Sequence, residues 1–243
     1  MKIQNRNTTS VTTEIQTLHF GKVDIQLTLS EVVFPPSEYT VKYIKYLNGV
    51  NSKSAIDVGT GSGVIGIYLS KQGANVSATD ISNEAIEVAK GNAKLNKTKI
   101  RFIQGSFFPQ SKKKYNTIVS NLPQEIVLSS KAANKQTKQT IDGGDNGNNI
   151  IIDFLRKAKS HMNKKSSLYI GIGTLSDYKE TINFIAKHYL ATVLGIENIS
   201  CKDFVQNNIE AYKKLNERGK IKIFREDNIW KFEAYILKLK LIP

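Results

Sequence analysis

The chain has 243 residues, a formal net charge of +14, 40% apolar and 9% aromatic residues. This length and composition fit one folded domain with small additions and exclude a disordered chain. No apolar run approaches the roughly 20 residues of a membrane helix, and the single cysteine, Cys201, excludes an intrachain disulfide or a multi-cysteine metal site.

Residues 1–10 read as a frayed polar start, and Met1 to Gln16 lack the apolar segment of a signal peptide. A cytoplasmic location without a membrane partner is therefore expected. From Thr13 to Leu29, apolar and polar residues alternate in two stretches split at Gly21-Lys22, which predicts a β-hairpin. An extended loop follows, Val32 to Glu38, and Ser37 or Glu38 begins a helix with Val41, Ile44 and Leu47 on one face.

The centre alternates strands with helices. Strands are expected at Ser54–Val58, Asn75–Thr79, Ile100–Ile103, Asn116–Val119, Ser167–Ile172 and Ala191–Ile196. Helices are expected at Ser62–Lys71, from Asn83 as cap to about Leu95, at Ile150–Met162, and from Ser176 as cap to His188. Asp203 to Arg218 reads as one helix ending at Gly219, and Trp230 to Leu239 as the last strand. Lys131 to Asn149, rich in Lys, Gln, Asn and Gly, is the candidate mobile loop. The β-α-β-α order predicts an α/β fold with helices on both faces of a parallel sheet. The division expected is a hairpin and lead-in helix over 1–50, then the main domain over 51–243 with a helical insert near 203–218.

The positive charge allows RNA or the ribosome as a partner. A lysine-rich composition is the favoured reading, because the only arginines are Arg6, Arg101, Arg156, Arg218 and Arg225, and the one basic run is Lys112-Lys113-Lys114. His19, His161 and His188 are too scattered to suggest a metal site, and no metal is expected.

Asp57-Val58-Gly59-Thr60-Gly61-Ser62-Gly63 follows one expected strand and opens a helix. Glycines there let the backbone turn tightly and approach a ligand. Asp80 ends the next strand at the spacing ribose recognition requires, with Ile81 beside it. The spacing is G-x-G-x-G, not the G-x-G-x-x-G of dinucleotide enzymes, and an acidic residue precedes it. This combination resembles the first motif of class I methyltransferases, whose fold is a Rossmann-like seven-stranded sheet, mostly parallel with an antiparallel last strand, and whose cofactor is S-adenosyl-L-methionine. The resemblance implies cofactor contacts from Asp57, Gly59, Thr60, Gly61, Gly63, Asp80 and Ile81. It adds Ser106 and Phe107, in the turn Gln104 to Pro109, on the adenine side.

Asn121-Leu122-Pro123-Gln124 ends a further strand and resembles the N-P-P-Y motif of amino methyltransferases. There the Asn and a following carbonyl hold the acceptor nitrogen with its lone pair toward the methyl group, so positioning does most of the work. The resemblance makes Asn121, Leu122, Pro123 and Gln124 the catalytic residues, with Asn121 also bordering the cofactor. With Phe34-Pro35-Pro36-Ser37-Glu38, Asp142-Gly143-Gly144-Asp145 and Gly171-Ile172-Gly173, the chain is similar to the release-factor glutamine methyltransferase (HemK-like) family and its small-domain relatives over roughly residues 15–200. It departs at Leu122, where relatives have Pro, and at Gln124, which cannot stack on a flat amide or base as an aromatic does. The helical N-terminal domain of the release-factor enzymes is not expected in the stretch before the first core strand at Ser54.

The expected function is methyl transfer to a nitrogen of a small molecule or peptide. The alternatives are a protein glutamine or RNA base N-methyltransferase, and a non-catalytic RNA- or ribosome-binding module with a vestigial cofactor pocket.

Overall fold

A computed structural model of the chain describes residues 14–28, 33, 35–128 and 141–242. The frayed start, Thr13, Leu29, Val32, Phe34 and Lys131 to Thr140 lie outside the described residues. Strands β1 (Ile15–Phe20) and β2 (Val23–Thr28) form the expected hairpin. Its turn at Gly21 has a φ of 61°, which a residue without a Cβ adopts freely. Helix α1 (Glu38–Lys45) starts where Ser37 Oγ accepts a hydrogen bond from the Thr40 N–H, and it buries Tyr43 and Ile44.

The remaining elements follow in chain order: β3 (Ser54–Val58), α2 (Val64–Lys71), β4 (Asn75–Asp80), α3 (Asn83–Leu95), β5 (Ile100–Gln104), β6 (Thr117–Ser120), α4 (Asn149–Ala158), β7 (Ser167–Gly173), α5 (Tyr178–His188), β8 (Tyr189–Ser200), α6 (Asp203–Gln206), α7 (Ile209–Glu217), β9 (Ile223–Glu226) and β10 (Ile229–Leu241). The main sheet runs β5-β4-β3-β6-β7-β10-β8. The first five strands of that order are parallel, and β10 lies antiparallel between β7 and β8. This is the expected mostly parallel seven-stranded sheet with an antiparallel last strand. The short β9 pairs with the start of β10 as an addition that the sequence reading missed. Asp227 and Asn228 turn between these two strands with φ of 50° and 62°, as a tight hairpin requires.

Three other expectations need correction. Ser82, not Asn83, caps α3, because its Oγ accepts from the Ala85 N–H at 3.1 Å. Asp177, not Ser176, caps α5; the Ser176 hydroxyl instead donates to the Gly173 carbonyl at 2.8 Å. The helix expected over Asp203 to Arg218 is two helices, broken at Asn207-Asn208, where the Asn208 side chain bonds back to the Phe204 carbonyl and competes with helical pairing.

Apolar side chains pack on both faces of the sheet. On one side Phe20, Ile25 and Leu27 of the hairpin share a cluster with Tyr43 and Ile44 of α1 and with Ile67 of α2. On the other, Phe154 and Leu155 of α4 pack against Ile118 and Ile170. A third cluster joins Phe204, Val205 and Tyr212 of the late helices to Ile126, Ile199 and Phe232. The strand order reverses at β3, whose neighbours are β4 and β6, so loops leaving β3, β4 and β6 diverge around a crevice at their carboxyl ends, where open α/β sheets bind ligands.

Asn92 ties the hairpin to that crevice. Fully buried in α3, it donates from Nδ2 to the Ser62 carbonyl of the glycine loop at 2.9 Å and accepts at Oδ1 from the Thr28 N–H at 2.8 Å. Asn92→Ala leaves the buried Ser62 carbonyl without this partner and frees the part-buried Thr28 N–H, so it should lower unfolding free energy by about 1–3 kcal/mol. Chemical denaturation against the exposed-site control Lys94→Ala measures this; equal stability of the two variants would remove Asn92 from that role.

Candidate active site

The glycine loop is built around a carboxylate. Asp57 ends β3 fully buried, and its Oδ2 accepts from the Thr60 hydroxyl at 2.7 Å and the Gly66 N–H at 2.9 Å. Its Oδ1 is buried with no hydrogen-bond partner among the described residues. Burial pushes the Asp57 carboxyl up to about 6, against the opposing pull of the Thr60 and Gly66 hydrogen bonds. Gly59, Gly61 and Gly63 have φ of 73°, 52° and 86°, a left-handed path closed to most side chains. A Cβ on Gly61 would meet nothing within 4 Å, so the loop borders open space there.

Asp80 sits across the loop from β4. Its Oδ2 accepts from the Gly61 N–H at 2.9 Å and its Oδ1 from the Ser82 N–H at 3.0 Å. Each oxygen retains lone-pair capacity for a ligand donor. Ile81 beside it is 75% exposed, an apolar surface on the ligand side of the loop. Ser106 is exposed in the next turn. Phe107 has a φ of 59°, and its carbonyl accepts from the Thr79 hydroxyl at 2.6 Å. Its ring lies 5.8 Å from that of Phe154, under the Lys157 ammonium. Asp57, Gly59, Thr60, Gly61, Gly63, Asp80 and Ile81 thus lie at and after the carboxyl ends of β3 and β4, and Ser106 and Phe107 in the turn after β5.

Asn121 to Gln124 leave β6 on the opposite side of the crevice. Asn121 donates from Nδ2 to the Thr40 hydroxyl at 3.0 Å, which turns its amide oxygen away from α1. The Thr40 hydroxyl also lies 3.1 Å from that of Ser37, so the Pro35-Pro36-Ser37-Glu38 segment and the Asn121 turn are one assembly. Leu122 is buried, and a Cβ on Gly59 would come within 2.7 Å of its Cδ2, so Leu122 and the glycine loop are in contact. The Gln124 amide is buried, donating to the Gly171 carbonyl at 3.1 Å and accepting from the Gly173 N–H at 2.7 Å, so it pins the turn to β7.

A cavity of about 190 Å³ opens beside this turn. Tyr39, Asn121, Pro123, Glu125, Lys202 and Phe232 are among its lining residues. Sequence reasoning missed Tyr39, Glu125, Lys202 and Phe232. Glu125 follows the motif directly, a charged residue at the end of an apolar turn, and that was the one available signal. The described end of the candidate mobile loop is pinned here. The Glu125 N–H donates to the Ile141 carbonyl at 2.7 Å, and the Glu125 carbonyl accepts from the Gly143 N–H at 3.0 Å. A Cβ on Gly143 would sit 2.8 Å from Gln124 Cα, so glycine is required at that crossing. Cys201 is buried nearby, its thiol pushed up to about 12 by burial. His161 is buried, stacked on Phe108 at 4.3 Å, and His19 faces Asp24 on the surface.

A parallel sheet with a glycine loop at its reversal point, a ribose-spaced acid and an Asn turn opposite define a methyltransferase of Rossmann-like fold. Residues 40–198 match the family model described as methyltransferase small domain, and the chain belongs to that family. It is 31% identical over 160 residues to a protein of Methanocaldococcus jannaschii that carries the name protein N5-glutamine methyltransferase, covering 65% of this chain and 81% of that one. It is 28% identical to the release factor glutamine methyltransferase of Lactococcus lactis subsp. lactis, over 62% of this chain, and spans 59% of that relative's length. The solved tRNA (uracil-54, C5)-methyltransferase of Pyrococcus abyssi, in complex with S-adenosyl-L-homocysteine, shares the fold, with a TM-score of 0.55 at 14% identity over 93% of this chain and 44% of that one.

Because the folded-state pKa of Asp57 is raised, the native protein holds this proton more tightly than the unfolded chain. The group therefore costs nothing at a pH below its ordinary carboxylate value, and native stability falls as pH rises toward about 6. A rise of this size corresponds to a penalty on the order of 3 kcal/mol at neutral pH. Denaturation curves from about pH 4 to 8 should show Asp57→Asn gaining on the wild type as pH rises; parallel curves would mean Asp57 ionises as it does in water.

Proposed function

We propose that the chain transfers a methyl group from S-adenosyl-L-methionine to a nitrogen of a small-molecule or peptide acceptor held in the cavity beside Asn121. One observation carries this reading: Gly59 of the cofactor-side loop touches Leu122 of the Asn121 turn, which brings a donor site and an acceptor cavity to one edge of the sheet. The residues fit the cofactor. The unpartnered Asp57 Oδ1 suits a nearby ammonium, which would also draw the raised pKa back down. Asp80 can accept from ribose hydroxyls while holding Gly61. Ile81 and Phe107 offer apolar surface for a flat base.

Bound there, the cofactor supplies a methyl group on a sulfonium, already activated for displacement. The protein's part is placement. Thr40 orients Asn121 so that its amide oxygen can accept from an acceptor N–H and direct the lone pair. Leu122 closes the side toward the glycine loop and excludes water. A cytoplasmic setting belongs to this proposal, supported by the kinship with a release-factor enzyme.

The relatives' names raise protein glutamine as the acceptor. Here, however, the position that would stack on a flat amide is the buried Gln124. An RNA base is favoured less. The basic groove formed by Lys90, Lys94, Lys99 and Arg101 lies with Asn75 and Ile100 at the amino ends of β4 and β5, the opposite end of the sheet from the cavity.

Two variants separate the halves of the site. Asp80→Ala should weaken S-adenosylhomocysteine binding, measured by calorimetry, by about 10- to 100-fold through loss of charge-assisted hydrogen bonds. Asn121→Ala should keep that affinity within about threefold yet lower turnover by about 100-fold or more if it positions the acceptor. Absence of binding to the wild type would overturn the cofactor site; unchanged turnover in Asn121→Ala would overturn the acceptor role.

A further inference from the structure

The acceptor cavity contains a carboxylate that is only half satisfied. Glu125 has a side chain 12% exposed, and its Oε1 accepts from the Lys202 ammonium at 2.8 Å. Its Oε2 is buried with no hydrogen-bond partner among the described residues. The Glu125 N–H donates to the Ile141 carbonyl and its carbonyl accepts from the Gly143 N–H, which fixes the backbone that carries the side chain. A buried carboxylate held this way favours a second donor. Lys202 is the mobile half of the pair, with 38% of its side chain exposed on a flexible stem.

The wall that brings Lys202 here lies beyond the family match, which ends at residue 198. Ile199, Ser200, Lys202 and Phe232 close that side of the cavity. The Tyr212 hydroxyl bolts the late helices to the Asn121–Leu128 segment by donating to the Ile126 carbonyl at 2.7 Å. The charged groups that line the cavity are two carboxylates, Glu38 and Glu125, and one ammonium, Lys202. Glu38 is paired with the Lys42 ammonium at 2.9 Å, so Glu125 is the carboxylate of the lining with an oxygen to spare, and Leu122, Ile199 and Phe232 give apolar surface to cover an alkyl stem.

Building on the methyltransferase reading, we propose that the acceptor carries a protonated alkylamine and that Glu125 selects it, with the acceptor's ammonium joining or displacing that of Lys202. The order of events is simple. Lys202 holds Oε1 of Glu125 in the free protein; the acceptor's ammonium donates to the unpartnered Oε2 while its stem lies on the apolar wall, and Lys202, on its exposed stem, stays on Oε1 or swings outward. An ammonium has no lone pair to give. Glu125 is therefore a specificity-determining residue and not the base, and the nitrogen that is methylated is a second one, facing Asn121. The acceptor class is thus a molecule with two nitrogens on an aliphatic frame, such as a polyamine, or a peptide that places a basic side chain next to the methylated position.

The test uses the full chain labelled with ¹⁵N, with and without S-adenosylhomocysteine, at constant ionic strength. The probes are n-butylammonium and its neutral counterpart butyramide. The expected result is that n-butylammonium shifts the backbone signals of Glu125, Ser200 and Lys202 at about tenfold lower concentration than butyramide, the scale of one charge-assisted contact. Glu125→Gln keeps the shape and should abolish the preference. Lys202→Met removes the internal competitor and should strengthen n-butylammonium binding by about threefold or more. Equal response to the two probes in both the wild type and Lys202→Met, or a preference that survives in Glu125→Gln, overturns the proposal. Signals from Gly61 and Asp80 report the cofactor separately. If S-adenosylhomocysteine leaves them unmoved while the amine preference holds, the methyltransferase reading fails and the amine site stands; if it moves them and no amine preference appears, only the amine site fails.

Discussion

Asp57 places an ionisable carboxylate where no water reaches it, and the local geometry follows from how that carboxylate is handled. One oxygen collects the Thr60 hydroxyl and the Gly66 N–H, so the chain must wrap back around it within nine residues. That wrapping demands the left-handed conformations of Gly59, Gly61 and Gly63. It also brings the start of α2 over the end of β3, and it leaves the other oxygen buried without a hydrogen-bond partner among the described residues. A neutral residue at Asp57 could keep part of the wrapping. It would not supply the unmatched charge that suits a cationic ligand.

From that loop, contacts spread outward through a few side chains that each hold two elements. Asn92 joins the loop to the N-terminal hairpin, Leu122 meets Gly59 across the crevice, and Thr40 joins α1 to Asn121. The hairpin and α1, expected from the sequence as a separate lead-in, share an apolar cluster with α2 and contribute a hydroxyl to the Asn121 turn. The cofactor side and the acceptor side are thus coupled through packing, with Leu122 as the shared wall.

Much of this was legible in the sequence because its signals are local. Strand β3, the glycine run and Asp80 stand in a fixed order whose physical reasons are short-range: tight turning, close approach and ribose spacing. The caps at Ser82 and Asp177 were misplaced by one residue because Asn83 and Ser176 have equally suitable side chains, and the choice rests on backbone dihedrals that no single residue encodes. Strand β9 was missed because it is four residues long and its partner, the start of β10, supplies the pairing. The Glu125–Lys202 pair spans 77 positions, and nothing local marks either residue as the other's partner.

The departures from the N-P-P-Y pattern have a common physical sense. With Leu122 in the second position, the turn loses a rigid ring and gains a branched side chain that fills the space above Gly59. With Gln124 in the fourth, the position that would present a flat aromatic face instead sends its amide inward to hold Gly171 and Gly173 of β7. Glycine is needed at Gly171, where a Cβ would collide with the Tyr39 hydroxyl, so Tyr39, Gly171 and Gln124 form one packed unit at the wall of the cavity. With Gln124 turned inward the motif itself presents no aromatic face, and the rings at the cavity come from Tyr39 and Phe232. On the proposed reading, shape, the Asn121 amide and charge then discriminate the acceptor. Charge is supplied by Glu125 and Lys202, the latter brought in by chain beyond the family match at 198. On that reading, transfer rests on the shared core of the fold, and the choice of acceptor falls to the segment after residue 198 that lines the cavity.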